Sequence, residues 1–361
     1  MGNLGCDVDA LSLQVKVNCD ISDSRFWGTY SICGLLLRLR ELFRQEKGIK
    51  PWEEIPQAVI SEWIAAKEAL WHQLDGREFI NLSLQQTEFP PFGNQAVNRL
   101  LEKENMVYGA GLGVQMKPSF FLADLLSKEP IDEYEVFVAG NEHARDLSMH
   151  PAMLQGNTIF ARREALATIL WEKLEEIRHK KNRGALVYAF SQYGIDPEAE
   201  TNASLYSRIV QIAEEEIGAY IRHEIGEAHE GARLGGEWKD MLSGPLTRRV
   251  ELFVRSIKDL LSDMSDRGML KYIIDHERKG SLGFFLSSTG GFRTMIFPEI
   301  QGLFADFSER EGWQLVEDAR KKGYKKAEVL AASVLDVHRR LGDGAAEVIE
   351  KDLLDKMLKR L

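Results

Sequence analysis

Apolar residues recur at three- and four-residue intervals along most of the chain, and that period predicts helices. Residues 21–80 read as two of them. In the first, Ile32, Leu35, Leu36, Leu39, Leu42 and Phe43 are spaced for one helical face. It stops near Gly48, and Pro51 opens the next stretch. The second carries Val59, Ile60, Trp63, Leu70, Trp71 and Leu74 and ends at Asp75-Gly76. The pair makes residues 1–80 an N-terminal helical hairpin region.

Between 81 and 160 the texture changes. Met106-Val107-Tyr108 leads into Gly109, Gly111 and Gly113 and then the run from Val114 to Phe121. Tyr134 to Val138 is rich in β-formers and bounded by Asp132 and Gly140. Two to four short strands are expected here. Pro90, Pro91, Pro118, Pro130 and Pro151 punctuate the segment and mark it as loop-rich.

From Arg162 onward the helical period returns. Leu166, Ile169, Leu170, Leu174 and Ile177 mark one helix. Leu246, Val250, Phe253, Val254, Ile257, Leu260, Leu261 and Met264 mark another with a clear apolar stripe. Further helices are expected near 310–322, 325–341 and 344–361, with breaks at Gly323 and Gly342. No internal repeat is visible. The pattern predicts a mostly α, multi-helix bundle-like architecture with a small β-containing insertion. Its parts are 1–80, the loop-rich segment 81–160 and a C-terminal helical domain 161–361, with a seam near 160. A chain of 361 residues exceeds the usual limit of one compact core, which fits such a division.

Composition narrows the class. Hydrophobic residues make up 44% and charged residues 28%, which is ordinary globular usage and argues against large-scale disorder. No apolar run is long enough to cross a bilayer, and residues 1–20 lack the shape of a signal peptide. A cytoplasmic, soluble protein with no membrane association is expected. The cysteines Cys6, Cys19 and Cys33 have no CxxC spacing, so reduced thiols are expected rather than a disulfide frame or a zinc site. The net charge of −10 repels phosphate backbones. The one basic run, Arg178 to Arg183, reads as the cationic end of a helix, so no nucleic-acid partner is expected.

The segment Asn202 to Glu230 carries the most suggestive chemistry. On a helix its apolar stripe runs Tyr206, Ile209, Val210, Ala213, Ile217, Tyr220, Ile221 and Ala228, and Glu224 falls in the middle, flanked by His223 and Glu227. A carboxylate facing a core must be neutralised, paired with a cation or bound to a metal. A buried acid beside a histidine and a second acid is also how acid–base sites are built. Two smaller constellations are candidates to join it. His276 and Glu277 extend a stripe formed by Met269, Leu270 and Ile273, and Asn141-Glu142-His143 follows the strand expected at 134–139 on what reads as a loop.

Recognised signatures are absent. The zinc-protease motif fails because Glu227 stands where its second histidine belongs. The glycines at 109, 111 and 113 are not followed by a helix, so they read as a turn or bulged strand rather than a nucleotide loop. Ser287 to Gly291 with Arg293 reads equally as an anion-binding nest or as turn chemistry. Two functional expectations result. The first is a cytoplasmic helical protein acting by binding a protein partner or by self-assembly through amphipathic faces. The second is a metal- or small-molecule-binding helical protein, enzyme or not, with His223, Glu224, Glu227, His276, Glu142 and His143 as candidate ligands. No cofactor is firmly implied; a divalent metal ion is the candidate.

Overall fold

A computed structural model describes residues 7–113, 116–180, 184–310 and 312–359. Cys6, Val114 and the Lys181-Asn182-Arg183 part of the basic run lie outside them. The chain divides into two compact units, one of residues 1–172 and 200–217, the other of 173–199 and 218–361.

The first unit begins with α1 (Val8–Phe26), a helix that the apolar pattern does not announce. Its buried face mixes Leu11, Val15 and Cys19 with Asn18, Ser22 and Asp23, so the inward stripe is half polar. Next come α2 (Ile32–Lys47) and α3 (Gln57–Leu74). Ser31 caps the start of α2 by accepting from the Gly34 amide, and Gly48 ends it at φ +65°, a left-handed conformation that suits glycine. The expected single face of α2 is in fact two. Leu39, Leu42 and Phe43 are buried, whereas Ile32 and Leu36 are exposed. A short hairpin, β1 (Leu82–Leu84) and β2 (Thr87–Phe89), and helix α4 (Asn94–Leu101) follow.

The β-segment is larger than its sequence suggests. Five strands form one sheet: β3 (Met106–Leu112), β4 (Pro118–Ile131), β5 (Tyr134–Arg145), β6 (Ala152–Gln155) and β7 (Thr158–Arg162). Their order is β3-β4-β5-β7-β6, antiparallel except for the β5–β7 pair. Expected as short pieces, β4 and β5 run 14 and 12 residues. Pro118 opens β4 and Pro130 lies one residue from its end, where a missing amide costs little, so both prolines mislead as breakers. Alternation sorts β4 between two cores. Phe120 and Leu122 pack with α1, while Phe121 and Ala123 pack on the other face with Phe137 and Phe160. Gly109 and Gly111 belong to β3, where an added methyl would run into the Phe121 ring or Gln155. They permit close packing and cradle no phosphate.

Helices α5 (Arg163–Lys180) and α7 (Ala203–Ser243) contribute residues to both units. The second unit also holds α6 (Ala185–Gln192), α8 (Arg248–Met264), α9 (Met269–Asp275), α10 (Lys279–Ser288), α11 (Phe292–Ile296), α12 (Ile300–Arg310) and α13 (Trp313–Leu341), then short helical turns to Leu358. The stripe read for α8 is buried from Val250 to Met264 and packs with Val316, Ala327, Ala331 and Val334 of α13. No break occurs at Gly323. A methyl there would overlap the Met264 sulfur, so this glycine brings α13 close to the end of α8. Gly342, at φ +53°, does end α13. The protein is therefore mostly α with a β-containing part. Among the described residues no helix is long and apolar enough to cross a membrane.

Candidate functional site

His223, Glu224 and Glu227 lie on one turn of α7. Residues three and four apart share a helix face, so the three side chains converge. One nitrogen and two carboxylate oxygens from them fall within 4.8 Å of one another. Local packing brings them to a second helix. A methyl at Gly226 would overlap the Ser262 carbonyl oxygen, so only glycine lets α7 approach the end of α8 this closely. Asp263 is the next residue on α8, and its Oδ1 lies 2.6 Å from His223 Nδ1. The Asp263 carboxylate is almost fully buried, and Arg293 from α11 approaches its other oxygen at 3.5 Å. On the outer side Lys258 Nζ reaches Glu227 Oε1 at 2.6 Å, and His223 Nε2 stands 3.9 Å from Glu227 Oε2.

The electrostatics follow from this geometry. Burial works against a charged imidazole, but the Asp263 charge and hydrogen bond, with Glu224 and Glu227 behind them, outweigh it and hold the His223 pKa up at about 10. Burial also pushes Asp259, one turn before Asp263, up to about 6, with the His223 charge opposing the rise. For Glu227 burial is overcome by Lys258 and His223, which keep its carboxyl below the usual carboxylate range. The site is thus a carboxylate-rich cluster beside which His223, Lys258, Arg293 and, at longer range, Arg255 carry positive charge.

Glu224 itself is half-buried, at the margin of the stripe and not at its centre. The acids that α7 buries fully are Glu216 and Glu230. Glu230 is satisfied by Arg233 Nε at 2.6 Å and the Tyr324 hydroxyl at 3.0 Å. The expected stripe leaned on Tyr206, Val210 and Tyr220, which are only half-buried, and so was centred too far round the helix.

The remaining candidates have other partners of their own. His276 is exposed just past the end of α9, where its Nδ1 faces the Tyr272 carbonyl at 2.9 Å and its ring lies over the Tyr272 ring. Glu142 and His143 belong to the first unit and lie inside β5, not on a loop, because β5 continues past two irregularities to pair Glu142 with Ala123. Glu142 is buried against Arg162 at 2.6 Å, and His143 Nε2 meets Asp124 at 2.7 Å.

Motif spacing does not indicate Asp263, Asp259, Lys258 or Arg293. One signal was available: Asp259 and Asp263 are four apart on the flank of the α8 stripe, so both lean over the same edge of its apolar face. A second charged cluster, in the first unit, carries no sequence signal. Lys117 Nζ is buried 2.7 Å from Asp23, 3.0 Å from the Ser148 hydroxyl and 3.5 Å from Asp146. Asp146 accepts from the Phe120 amide at 2.7 Å, and Asp23 accepts from the Leu147 amide. Burial opposes the Lys117 charge, but Asp146 and Asp23 hold its pKa above the usual lysine range. These groups satisfy one another and read as a closed structural network.

Comparison with known proteins gives a family and no activity. No curated protein and no solved structure matches the chain. The N-terminal domain model of a family of unknown function, DUF6866, matches residues 10–162, and the C-terminal domain model matches 167–356. With both domains matched in order and the second alone spanning more than half of its length, the chain belongs to the DUF6866 family.

Proposed function

We propose that the protein binds a divalent first-row metal ion through His223 Nε2, Glu224 and Glu227. The observation that carries this reading is the convergence of three donor atoms within 4.8 Å while Asp263 occupies the other ring nitrogen of His223. Metal-ligating histidines characteristically hand their second nitrogen to a carboxylate, which fixes the ring and its tautomer. Metal–donor bonds of about 2.1 Å put tetrahedral donors about 3.4 Å apart, so the widest pair of the cluster must close by roughly an ångström, a distance that side-chain rotation covers. A mixed imidazole and carboxylate set suits zinc, manganese or iron, and three protein donors leave positions for water or for oxygen atoms of a ligand.

The cations now at the site support the reading. Lys258 on Glu227 and the proton on His223 answer the negative potential that a metal ion would answer instead. Lys258 is partly exposed, and metal binding would displace it from Glu227 and release the imidazole proton. The unpaired thiols Cys19 and Cys33 support a reducing, cytoplasmic setting.

The test is titration of zinc and manganese into protein prepared without a metal-affinity tag, followed by calorimetry and elemental analysis. One ion per chain is expected, with a proton released, and Glu224→Ala and His223→Asn should each weaken binding at least roughly tenfold. Failure of both ions to bind at stoichiometry, or binding that both variants leave unchanged, would overturn the assignment.

A further inference from the structure

Helix α2 has two apolar faces, and only one is used. Leu35, Leu39 and Leu42 pack inward with Trp63, Trp71 and Leu147. The adjoining face, with Leu36 51% and Leu37 43% exposed, turns away from that core. Together with Ile60 and Ile64 of α3 it lines an open groove of about 740 Å³. The lining positions are 33, 36, 37 and 40 on α2 and 57, 60, 61, 64, 65 and 68 on α3. Steps of three and four residues on two packed helices make the inner seam of a helical bundle, half of which is missing here.

We infer that the missing half is a second copy of this chain, so that two α2–α3 pairs close a four-helix bundle about a two-fold axis. Two features favour a second copy over an unrelated partner. The first is charge. One end of the groove carries Arg40 on α2, whose Nε holds Glu41 at 2.8 Å while its side chain stays 39% exposed, and the other helix carries Glu68, for which no ion pair is found among the described residues. A two-fold contact is self-complementary, so an arginine on one helix and a glutamate on the other supply two equivalent ion pairs. The second is area. Helices of 16 and 18 residues are about 24–27 Å long at 1.5 Å per residue, and two lie about 20 Å wide. Joining two such faces removes on the order of 1,000 Å² from water, the lower end of what a specific interface needs. This inference is independent of the metal site, which lies in the other unit.

Sedimentation of the full chain up to about 100 µM tests it, with micromolar dimerisation expected. Leu36→Glu with Leu37→Glu should weaken dimerisation roughly 100-fold, because buried apolar anchors dominate such contacts. Both side chains are solvated in the monomer, so the melting temperature of the dilute protein should hold. Glu68→Lys, a milder change, should weaken it about two- to fivefold. A chain that stays monomeric at the highest concentration overturns the inference, and so does a dimer that the Leu36/Leu37 variant leaves intact.

Discussion

His223 and Asp263 meet at 2.6 Å, Nδ1 to Oδ1, although forty residues separate them in the chain. The carboxylate is buried and the imidazole only partly so, which leaves the second ring nitrogen facing Glu227. The pair therefore does two things at once: it ties α7 to α8, and it presents one oriented nitrogen to two acids.

In the metal-free protein, His223 should titrate near pH 10, as read from its imidazole proton shift. A pKa raised in the folded state above the ordinary 6.5 adds stability that is complete below about pH 6.5 and is lost as pH rises through about 10. Asp263→Asn removes the largest favourable contribution, so the titration should fall by at least two units, towards the ordinary value of about 6.5. A wild-type midpoint near 6.5 would contradict the pairing.

Gly226 sets the distance on which that pair depends. Gly226→Ala puts a methyl into the Ser262 carbonyl, so the helices must separate. Overpacking of this kind costs about 1–3 kcal/mol, measurable by urea unfolding. The informative readout is again His223, whose pKa should drop as Asp263 recedes. Unchanged titration with lowered stability would mean that the contact is only structural.

How far the sequence discloses all this depends on how each element is stabilised. Helix α8 is legible because every position of its stripe is hydrocarbon, from Val250 to Met264. Helix α1 is not, because Asn18 and Asp23 sit in its buried face and find their partners at Ile80 and Lys117, far along the chain. The triad His223, Glu224 and Glu227 is visible as spacing on one helix. Asp263, which gives that triad its orientation, is not, since periodicity reports the face a residue occupies and never which other helix it meets. The same blindness hid the second apolar face of α2: Leu36 and Leu39 look alike until one is seen to be covered and the other open.

The buried network around Lys117 should be a stability element. Lys117→Met removes the cation nearest to Asp146 and to Asp23, whose carboxyl burial already pushes up to about 7, and breaking a buried pair from one side costs about 3–5 kcal/mol. Adding Asp23→Asn and Asp146→Asn to that variant should recover much of the loss, because the penalty is the stranded charge and not the shape of the side chain. Urea unfolding of the single and triple variants separates these. Equal losses in both would assign the cost to packing instead.

A last prediction concerns acid. Lys67 is buried between Asp20 and Glu46, 2.8 Å from each, and the Trp71 indole donates to Asp20 at 3.2 Å. Burial would raise the Glu46 carboxyl, but Lys67 and Lys16 overcome it and hold the group below the usual carboxylate range. A depressed carboxylate pKa adds stability that is present above the unfolded value of about 4.5 and disappears as pH falls through the folded one. Glu46→Gln should therefore lower the melting temperature at neutral pH, where the pair is fully charged. The gap between variant and wild type should narrow as pH falls below about 4.5 and through the folded-state value, as the wild-type carboxylate itself takes up its proton. A gap that stays constant from neutral pH down to acid unfolding would show that Glu46 acts through its hydrogen-bond geometry alone, with no charge contribution from the ion pair.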